Sequence, residues 1–184
     1  MKHIKLASAV ALVMGVAFAG SAGAAATGGK VEFTGQVNDP TCTVTGGANT
    51  TGATTNFGVK LDDVDPADLS AAGVAAKPKQ FDVELSGANC TNGITASMSF
   101  TNASSNIDAA TGALKNANGT ATNVQVQLLD DKGAAIDMSG AYQQDALVQG
   151  NKATMKFSAQ YLAVGGQATA GTVDTLVDYE IDYN

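Results

Sequence analysis

Apolar and polar residues alternate along most of the chain with a period of two. In the segment "QFDVELS", Phe81, Val83 and Leu85 share one face and polar residues occupy the other. Alternation of this kind predicts β-strands that bury one face. Glycine, asparagine and aspartate separate the alternating runs, as is typical of strands joined by turns. Similar runs occupy residues 41–46, 94–100, 124–128, 155–161 and 173–183.

Helical patterns are nearly absent from this chain. The one exception is the segment 63–73, where Asp65 is a predicted N-cap, Pro66 takes the first helical position and Gly73 ends the turn. No long helical segment separates the strands, and parallel strands would need such crossovers. The sequence therefore predicts an all-β fold, a sandwich rather than a parallel sheet.

The segment "GGKVEFTGQV" at residues 28–37 forms an unusual predicted strand. Glycines interrupt its apolar face, although a strand interior normally favours bulky side chains. The alternation leaves two interpretations open: a first strand of a complete sandwich, or a strand that packs somewhere else. Counted by twos, the apolar face comprises Thr27, Gly29, Val31, Phe33, Gly35 and Val37.

The first 24 residues have the pattern of a secretory signal peptide. Lys2 and Lys5 precede an apolar run, and the small residues Ala22 and Ala24 occupy the −3 and −1 positions of a predicted cleavage site after Ala24. Cleavage after Ala26 is nearly as compatible with the pattern. The apolar run is shorter than the roughly 20 residues of a membrane-spanning helix, and no other segment qualifies. We therefore expect export, without membrane insertion.

Removal of the signal would leave an acidic chain. Residues 25–184 contain 8 lysines, no arginine and 17 acidic residues, which gives a net charge of 8 − 17 = −9. Nucleic-acid binding depends on Lys and Arg contacts to phosphates, so nucleic acid is an unfavourable partner. Anionic lipid surfaces attract polybasic segments, which this chain lacks.

The residues give little indication of catalysis or metal binding. The single histidine, His3, lies in the signal, so the usual base for a nucleophile is missing. The acidic cluster at 62–68 lacks the glycine and bidentate glutamate of a calcium loop, and a solvated loop is the simpler interpretation. A glycosidase with two carboxylates stays open, although nothing selects a pair. We expect no enzyme, no metal and no cofactor.

Two cysteines remain in the exported chain, Cys42 and Cys90. An oxidising compartment favours a disulfide between them, while a free or metal-binding pair is the alternative. Such a disulfide would join the start of the first core strand to the end of the strand that begins near Gln80.

Both ends of the chain resemble chaperone–usher pilins, and most closely the major shaft subunits of type 1 fimbriae. The shared features are the signal, "GGKVEFTGQVNDPTCTV", a second cysteine about 50 residues later, and the C-terminal alternation. Most specific are the penultimate Tyr183 and Gly171, the fourteenth residue from the C-terminus. The central regions, roughly 50–80 and 105–150, add little to this resemblance.

The resemblance implies an incomplete immunoglobulin-like sandwich that lacks its last strand. It implies a signal peptide at 1–24, a donor-strand extension at 25–38 and a pilin domain at 39–184. Residues 27–37 would then pack into a neighbouring copy, a form of strand addition at an open edge. The acceptor groove and the chaperone-binding edge are expected to include Gly171, Val177, Tyr179, Ile181, Tyr183 and Asn184.

The same resemblance implies partners, location and function. The expected partners are a periplasmic chaperone, an outer-membrane usher and further copies of this chain in a head-to-tail filament. The protein would pass through the periplasm to the cell surface and form the shaft of an adhesive fimbria. The alternative is a minor adaptor or an adhesive subunit at the fimbrial tip. A complete sandwich, with residues 28–37 as its own first strand, is the competing interpretation of the fold.

Overall fold

A computed structural model of the protein describes residues 42–52, 55–101 and 105–184, which lie in one compact unit. The alternating segments form strands because each can bury its apolar face. In chain order, the elements of the described part are β1 (Thr43–Gly46), β2 (Thr50–Thr51), β3 (Gly58–Val59), a 3-10 helix (Pro66–Leu69), β4 (Ala75–Ser86), β5 (Thr95–Phe100), β6 (Leu114–Lys115), β7 (Val124–Leu129), β8 (Gln143–Leu147), β9 (Lys152–Ala163) and β10 (Tyr179–Tyr183).

The strands form two sheets and a small hairpin. The larger sheet has the order β1-β4-β9-β7-β6, the smaller one has the order β10-β5-β8, and β2 pairs with β3. Every pairing between these strands is antiparallel. The predicted all-β class is therefore confirmed.

Side chains from both sheets meet in one core. The Phe157 ring of β9 stacks on Phe81 of β4 at 5.7 Å and meets the edge of Phe100 of β5 at 5.6 Å. Met98 of β5 and Val83 of β4 are fully buried beside them. Burying a side chain of this size contributes about 1.5–3 kcal/mol. The contact between Phe100 and Phe157 shows that the two sheets pack face to face.

Strand β7 is buried on both faces, whereas its alternation predicted one buried face. Gln125 is 4% exposed on the second face. Its Nε2 donates to Asp108 Oδ2 at 2.6 Å, and its Oε1 accepts from Thr111 Oγ1 at 2.6 Å. A buried amide is tolerated when its hydrogen bonds are made. The backbone N–H of Ala110 and the Gln125 amide hold the pKa of Asp108 below its ordinary value.

The predicted helical turn forms, but it is shorter than expected. Asp65 Oδ1 accepts a hydrogen bond from the Ala67 N–H at 2.8 Å, as an N-cap should. The helix ends at Leu69, with Ser70 as its C-cap, so the prediction that Gly73 ends the turn was wrong. Leu69 is 1% exposed, and its burial anchors the turn on the sandwich.

Strand β4 begins at Ala75, before the position near Gln80 that the alternation suggested. A bulge between Ala76 and Lys79 breaks the pairing with β9, and Lys77 has a positive φ of 56° there. One extra residue in a bulge shifts the alternation, which explains why the pattern concealed the first part of the strand.

The acidic segment 62–68 forms ordinary surface contacts. Asp62 accepts a hydrogen bond from Lys79 Nζ at 2.8 Å, and this contact lowers the pKa of Asp62. Asp65 caps the 3-10 helix. Within the described ranges, no three His, Cys, Asp or Glu side chains lie close enough together to hold a metal ion.

Cys42 and Cys90 form a disulfide, with 4.3 Å between their Cα atoms. Cys42 directly precedes β1 and Cys90 follows β4, so the bond closes the end of this strand pair. Both residues are buried, at 6% and 0% exposure. The predicted disulfide is therefore present, and it joins the elements that the sequence suggested.

We predict that replacing both cysteines by serine lowers the free energy of unfolding by about 4 kcal/mol. The disulfide closes a loop with a sequence separation of 48 residues, and its loss returns that loop's entropy to the unfolded chain. Denaturant unfolding of purified protein, with and without the cysteines, measures the difference. Equal midpoints for the two proteins would contradict the prediction.

Candidate strand-acceptor groove

An apolar groove runs between two rims of the sandwich. The first rim consists of residues 42–44 and 55–64, and the second rim consists of residues 171–183. As bounded by the described residues, the groove has a volume of about 1410 Å³. Side chains from both sheets form its floor, among them Phe81, Phe100, Leu114, Val126, Leu128 and Ala159.

The second rim alternates between groove-facing and exposed residues. The exposed positions are mostly acidic, and Leu176 among them is 56% exposed. The half-buried positions, which line the groove, are Val173, Thr175, Val177, Tyr179, Ile181 and Tyr183. The structure thus places the predicted groove residues of this segment along one wall. Strand β10 covers only the last part of this rim, from Tyr179 to Tyr183.

Hydrogen bonds to β5 use one edge of the second rim. The Thr101 N–H donates to Asp178 O at 2.9 Å, and Asn184 exchanges two backbone bonds with Thr95 at 2.8 and 2.9 Å. In an antiparallel pair, alternate residues direct their N–H and C=O groups to opposite edges. The backbone N–H and C=O groups of the even-numbered residues point toward β5. Those of the odd-numbered residues therefore point to the opposite edge, toward the groove.

Two tyrosine hydroxyl groups reach from the second rim to the first. Tyr179 Oη donates to the backbone oxygen of Thr55 at 2.6 Å, and the Tyr179 ring contacts Phe57 at 5.8 Å between centroids. The backbone N–H of Cys42 donates to the hydroxyl of Tyr183. Burial raises the pKa of both tyrosines, and the bond from Cys42 partly offsets that effect at Tyr183.

Gly171 begins the second rim, where the backbone comes too close to a neighbour for any side chain. A Cβ at this position would lie 2.5 Å from the Ala121 nitrogen and 2.7 Å from Thr120 Oγ1. The Ala121 N–H donates to Thr172 O at 3.0 Å, which fixes this close approach. The resemblance selected Gly171, and the contact with Ala121 supplies a physical reason for glycine.

The first rim of the groove was not among the predicted site residues. Phe57, Val59 and Leu61 are partly buried against the core and line the groove. They alternate in the segment "NFGVKLD", which was the signal available for finding them. A two-residue strand, β3, is too short to stand out against the polar residues around it.

Several predicted residues lie elsewhere. Asn184 is exposed and pairs with Thr95 at the end of β10. The signal segment 1–24 and the predicted donor strand, with Thr27, Gly29, Val31, Phe33, Gly35 and Val37, lie outside the described residues. Among the residues that the structure describes, no helix has the length and apolarity needed to cross a membrane.

Comparison with known proteins places this chain in a family. The family model of fimbrial proteins matches residues 31–184, so the chain belongs to that family. The S-fimbrial protein subunit of Escherichia coli is 33% identical over 100% of this chain and 98% of its own length. The type-1 fimbrial protein A chain of Escherichia coli is 30% identical over the full length of both.

Solved structures of pilus proteins share the fold. The P pilus rod subunit PapA has a TM-score of 0.55 at 16% identity, covering 79% of this chain and 100% of its own. A chaperone–usher pilus structure has a TM-score of 0.56 at 16% identity, covering 86% of this chain and 97% of its own. A tip adhesin from Pseudomonas aeruginosa has a TM-score of 0.51 at 19% identity, covering 68% of this chain but 34% of its own. The fold is thus the immunoglobulin-like fold of chaperone–usher pilus subunits.

The family settles the broad class of this protein. It is a subunit of a chaperone–usher fimbria, which is a filament exported to the cell surface. Proteins of this family are structural subunits, so this chain is not an enzyme.

We predict that Gly171→Ala destabilises the subunit by about 1–3 kcal/mol, because the new methyl group would overlap the Ala121 backbone. Gly140→Ala is the matched control, since the nearest atom to its Cβ would be 3.6 Å away. Thermal or denaturant unfolding of the two variants measures the effect. Equal stability of both variants would show that the Gly171 contact can relax without cost.

Proposed function

We propose that this protein forms the shaft of a chaperone–usher fimbria and polymerises by donor-strand exchange. In this proposal, residues 27–37 of one copy occupy the groove of the next. The proposal rests on one observation. The backbone groups of residues 173, 175 and 177 point into the groove beside its apolar floor, and β10 continues this edge. Such an edge is a template for an added strand.

The predicted donor segment and the groove-lining stretch of the second rim have the same length and the same alternation in sequence. Residues 27–37 and residues 173–183 both extend over eleven residues. The apolar face of the donor, with Val31 and Phe33, would cover floor residues such as Phe100 and Val126. Strand addition would pair the backbone edge and bury apolar surface at the same time.

Donor-strand exchange between identical copies generates a filament. The donor segment and the groove are different surfaces of the same chain, so the contact is heterologous. A heterologous contact that does not close into a ring extends into an open filament. The proposed partners in the filament are therefore further copies of this protein.

A free groove needs protection before assembly. We propose that a periplasmic chaperone pairs with β10 and with Asn184 until an outer-membrane usher mediates the exchange. The outward side chains of the second rim suit a basic partner, since electrostatic complementarity favours such an encounter. These exposed acids are Asp174, Asp178, Glu180 and Asp182.

A minor adaptor or an adhesive tip subunit is the second candidate. The likeness to a tip adhesin favours it, although that match covers 34% of the adhesin. A copy with both a groove and a donor segment can occupy any internal position, whereas a terminal copy uses one of the two. This chain has both a groove and a predicted donor segment, which supports a repeated, internal position.

We predict that Phe33→Asp abolishes assembly, because it places a charge in the apolar groove. Thr34→Asp is the matched control, with the same charge on the opposite face of the predicted strand. Chaperone-bound subunits of each variant are mixed and analysed for heat-resistant ladders on a gel. Ladders from Phe33→Asp as extensive as those from Thr34→Asp would contradict donor-strand exchange through this face.

We also predict that this protein is the most abundant component of fimbriae sheared from the native cell surface. A shaft subunit repeats along the whole filament, while an adaptor or tip subunit occurs in one or a few copies. Quantitative mass spectrometry and antibody labelling in the electron microscope measure abundance and position. Labelling confined to filament ends would favour the tip role instead.

A further inference from the structure

The N-terminal half of the second rim needs support that β5 does not give. The hydrogen bonds to β5 begin at Asp178 and continue through β10. Residues 171–177 precede that pairing and still form a half-buried wall of the groove. An extended segment without a neighbouring strand would not hold a defined edge, so other contacts must fix it.

Asn116 makes the contacts that a neighbouring strand would otherwise make. Its Nδ2 donates to Thr172 O at 3.0 Å and to Ala121 O at 2.8 Å. Its Oδ1 accepts from the Asp174 N–H at 2.8 Å. The amide side chain thus binds both an N–H and a C=O of the rim, and three of its four hydrogen-bonding positions are used.

Neighbouring contacts continue this outer support. The backbone N–H of Asn118 donates to Asp174 O at 3.1 Å, and Asn106 Nδ2 donates to Leu176 O at 3.2 Å. The N–H groups of Thr120 and Thr172 each donate to the other residue's hydroxyl, at 3.0 and 2.9 Å. The even-numbered residues 172, 174 and 176 therefore bond away from the groove.

The short strand β6 places both asparagines. Asn116 directly follows Leu114–Lys115, and the backbone oxygen of Asn106 accepts from the Lys115 N–H at 2.7 Å. Gly119 allows the connecting loop to approach the rim, since a Cβ there would overlap the backbone oxygen of Thr172. The loop after β6 thus lies against the rim, and Asn116 is not among the residues that line the groove.

We propose that Asn116 and Asn106 are positioning residues for strand capture. They bind the backbone groups of residues 172, 174 and 176, which point away from the groove. The backbone groups of residues 173, 175 and 177, which point into the groove, are then held in an extended line before a donor strand arrives. This inference rests on the proposed function, because it concerns the same groove. It assigns the asparagines a role in the capture step rather than in contact with the donor.

A positioning role predicts a specific kinetic effect. Without the hydrogen bonds from the asparagines, the second rim adopts the conformation that can pair with a strand for a smaller fraction of the time. The apparent affinity of the groove for a donor strand falls by that fraction. The association rate should therefore fall. Once a donor strand is bound, it holds the inner edge itself, so its dissociation rate should change little. General destabilisation of the subunit would instead raise the dissociation rate.

The test uses the chaperone-bound subunit and a synthetic peptide of residues 27–37. For Asn116→Ala we expect the rate of peptide capture to fall about tenfold, with the peptide's dissociation rate within twofold of wild type. Asn118→Ala is the matched control, because this exposed residue binds the rim through its backbone N–H. We expect the control to capture peptide at the wild-type rate.

Asn106→Ala provides a second test at an independent contact, with the same expected split between the two rates. If Asn116→Ala does not accumulate as a chaperone complex, the Asn106→Ala variant tests the positioning role in its place. Capture at the wild-type rate, or an equal loss in the Asn118→Ala control, would overturn the proposal. Faster peptide dissociation, or failure of both asparagine variants to accumulate, would overturn it as well. Wild-type subunit that captures no peptide would instead contradict donor-strand exchange itself.

Discussion

The open backbone edge of the second rim is the constraint on which the rest of this structure depends. Strand edges with unpaired N–H and C=O groups invite pairing with other chains, and proteins usually cover or shorten them. Here the edge extends over eleven residues beside an apolar groove. Among the strands that the structure describes, none pairs with the inner side of this edge, so other contacts must hold it in an extended form. The contacts on its outer side therefore determine whether it is available as a partner for strand addition.

The two rims are fixed by independent means, and this fixes the width of the groove. The Cys42–Cys90 disulfide and the pairing of β1 with β4 hold residues 42–44 of the first rim. Strand β5 and Asn116 hold the second rim from its outer side. The hydroxyl bond from Tyr179 to Thr55 crosses between the rims. Each rim is anchored to its own part of the sandwich. The two rims can therefore stay apart without a strand between them.

Local alternation predicted the strands that supply large inward side chains, such as Phe81 in β4 and Phe157 in β9. It missed β2, β3, β6 and β8, because strands of two to five residues are too short for their alternation to stand out from the loops around them. The role of Asn116 could not be predicted either, since its partner Asp174 lies 58 residues away. Gly171 was selected by resemblance, while its contact with Ala121 depends on tertiary packing. Sequence pattern thus indicated the longer strands, whereas the contacts that support the groove depend on tertiary packing.

Specificity in the proposed exchange must come from side chains. Every extended strand offers the same backbone groups, so pairing along residues 173–183 cannot distinguish a chaperone strand from a donor segment. The floor residues differ along the groove, from Leu114 and Val126 to Phe81 and Phe100. The predicted donor segment also varies in size along its length, with small residues at Gly29 and Gly35 and bulky residues at Val31 and Phe33. Backbone pairing then supplies affinity common to all occupants, and the order of large and small side chains selects among them.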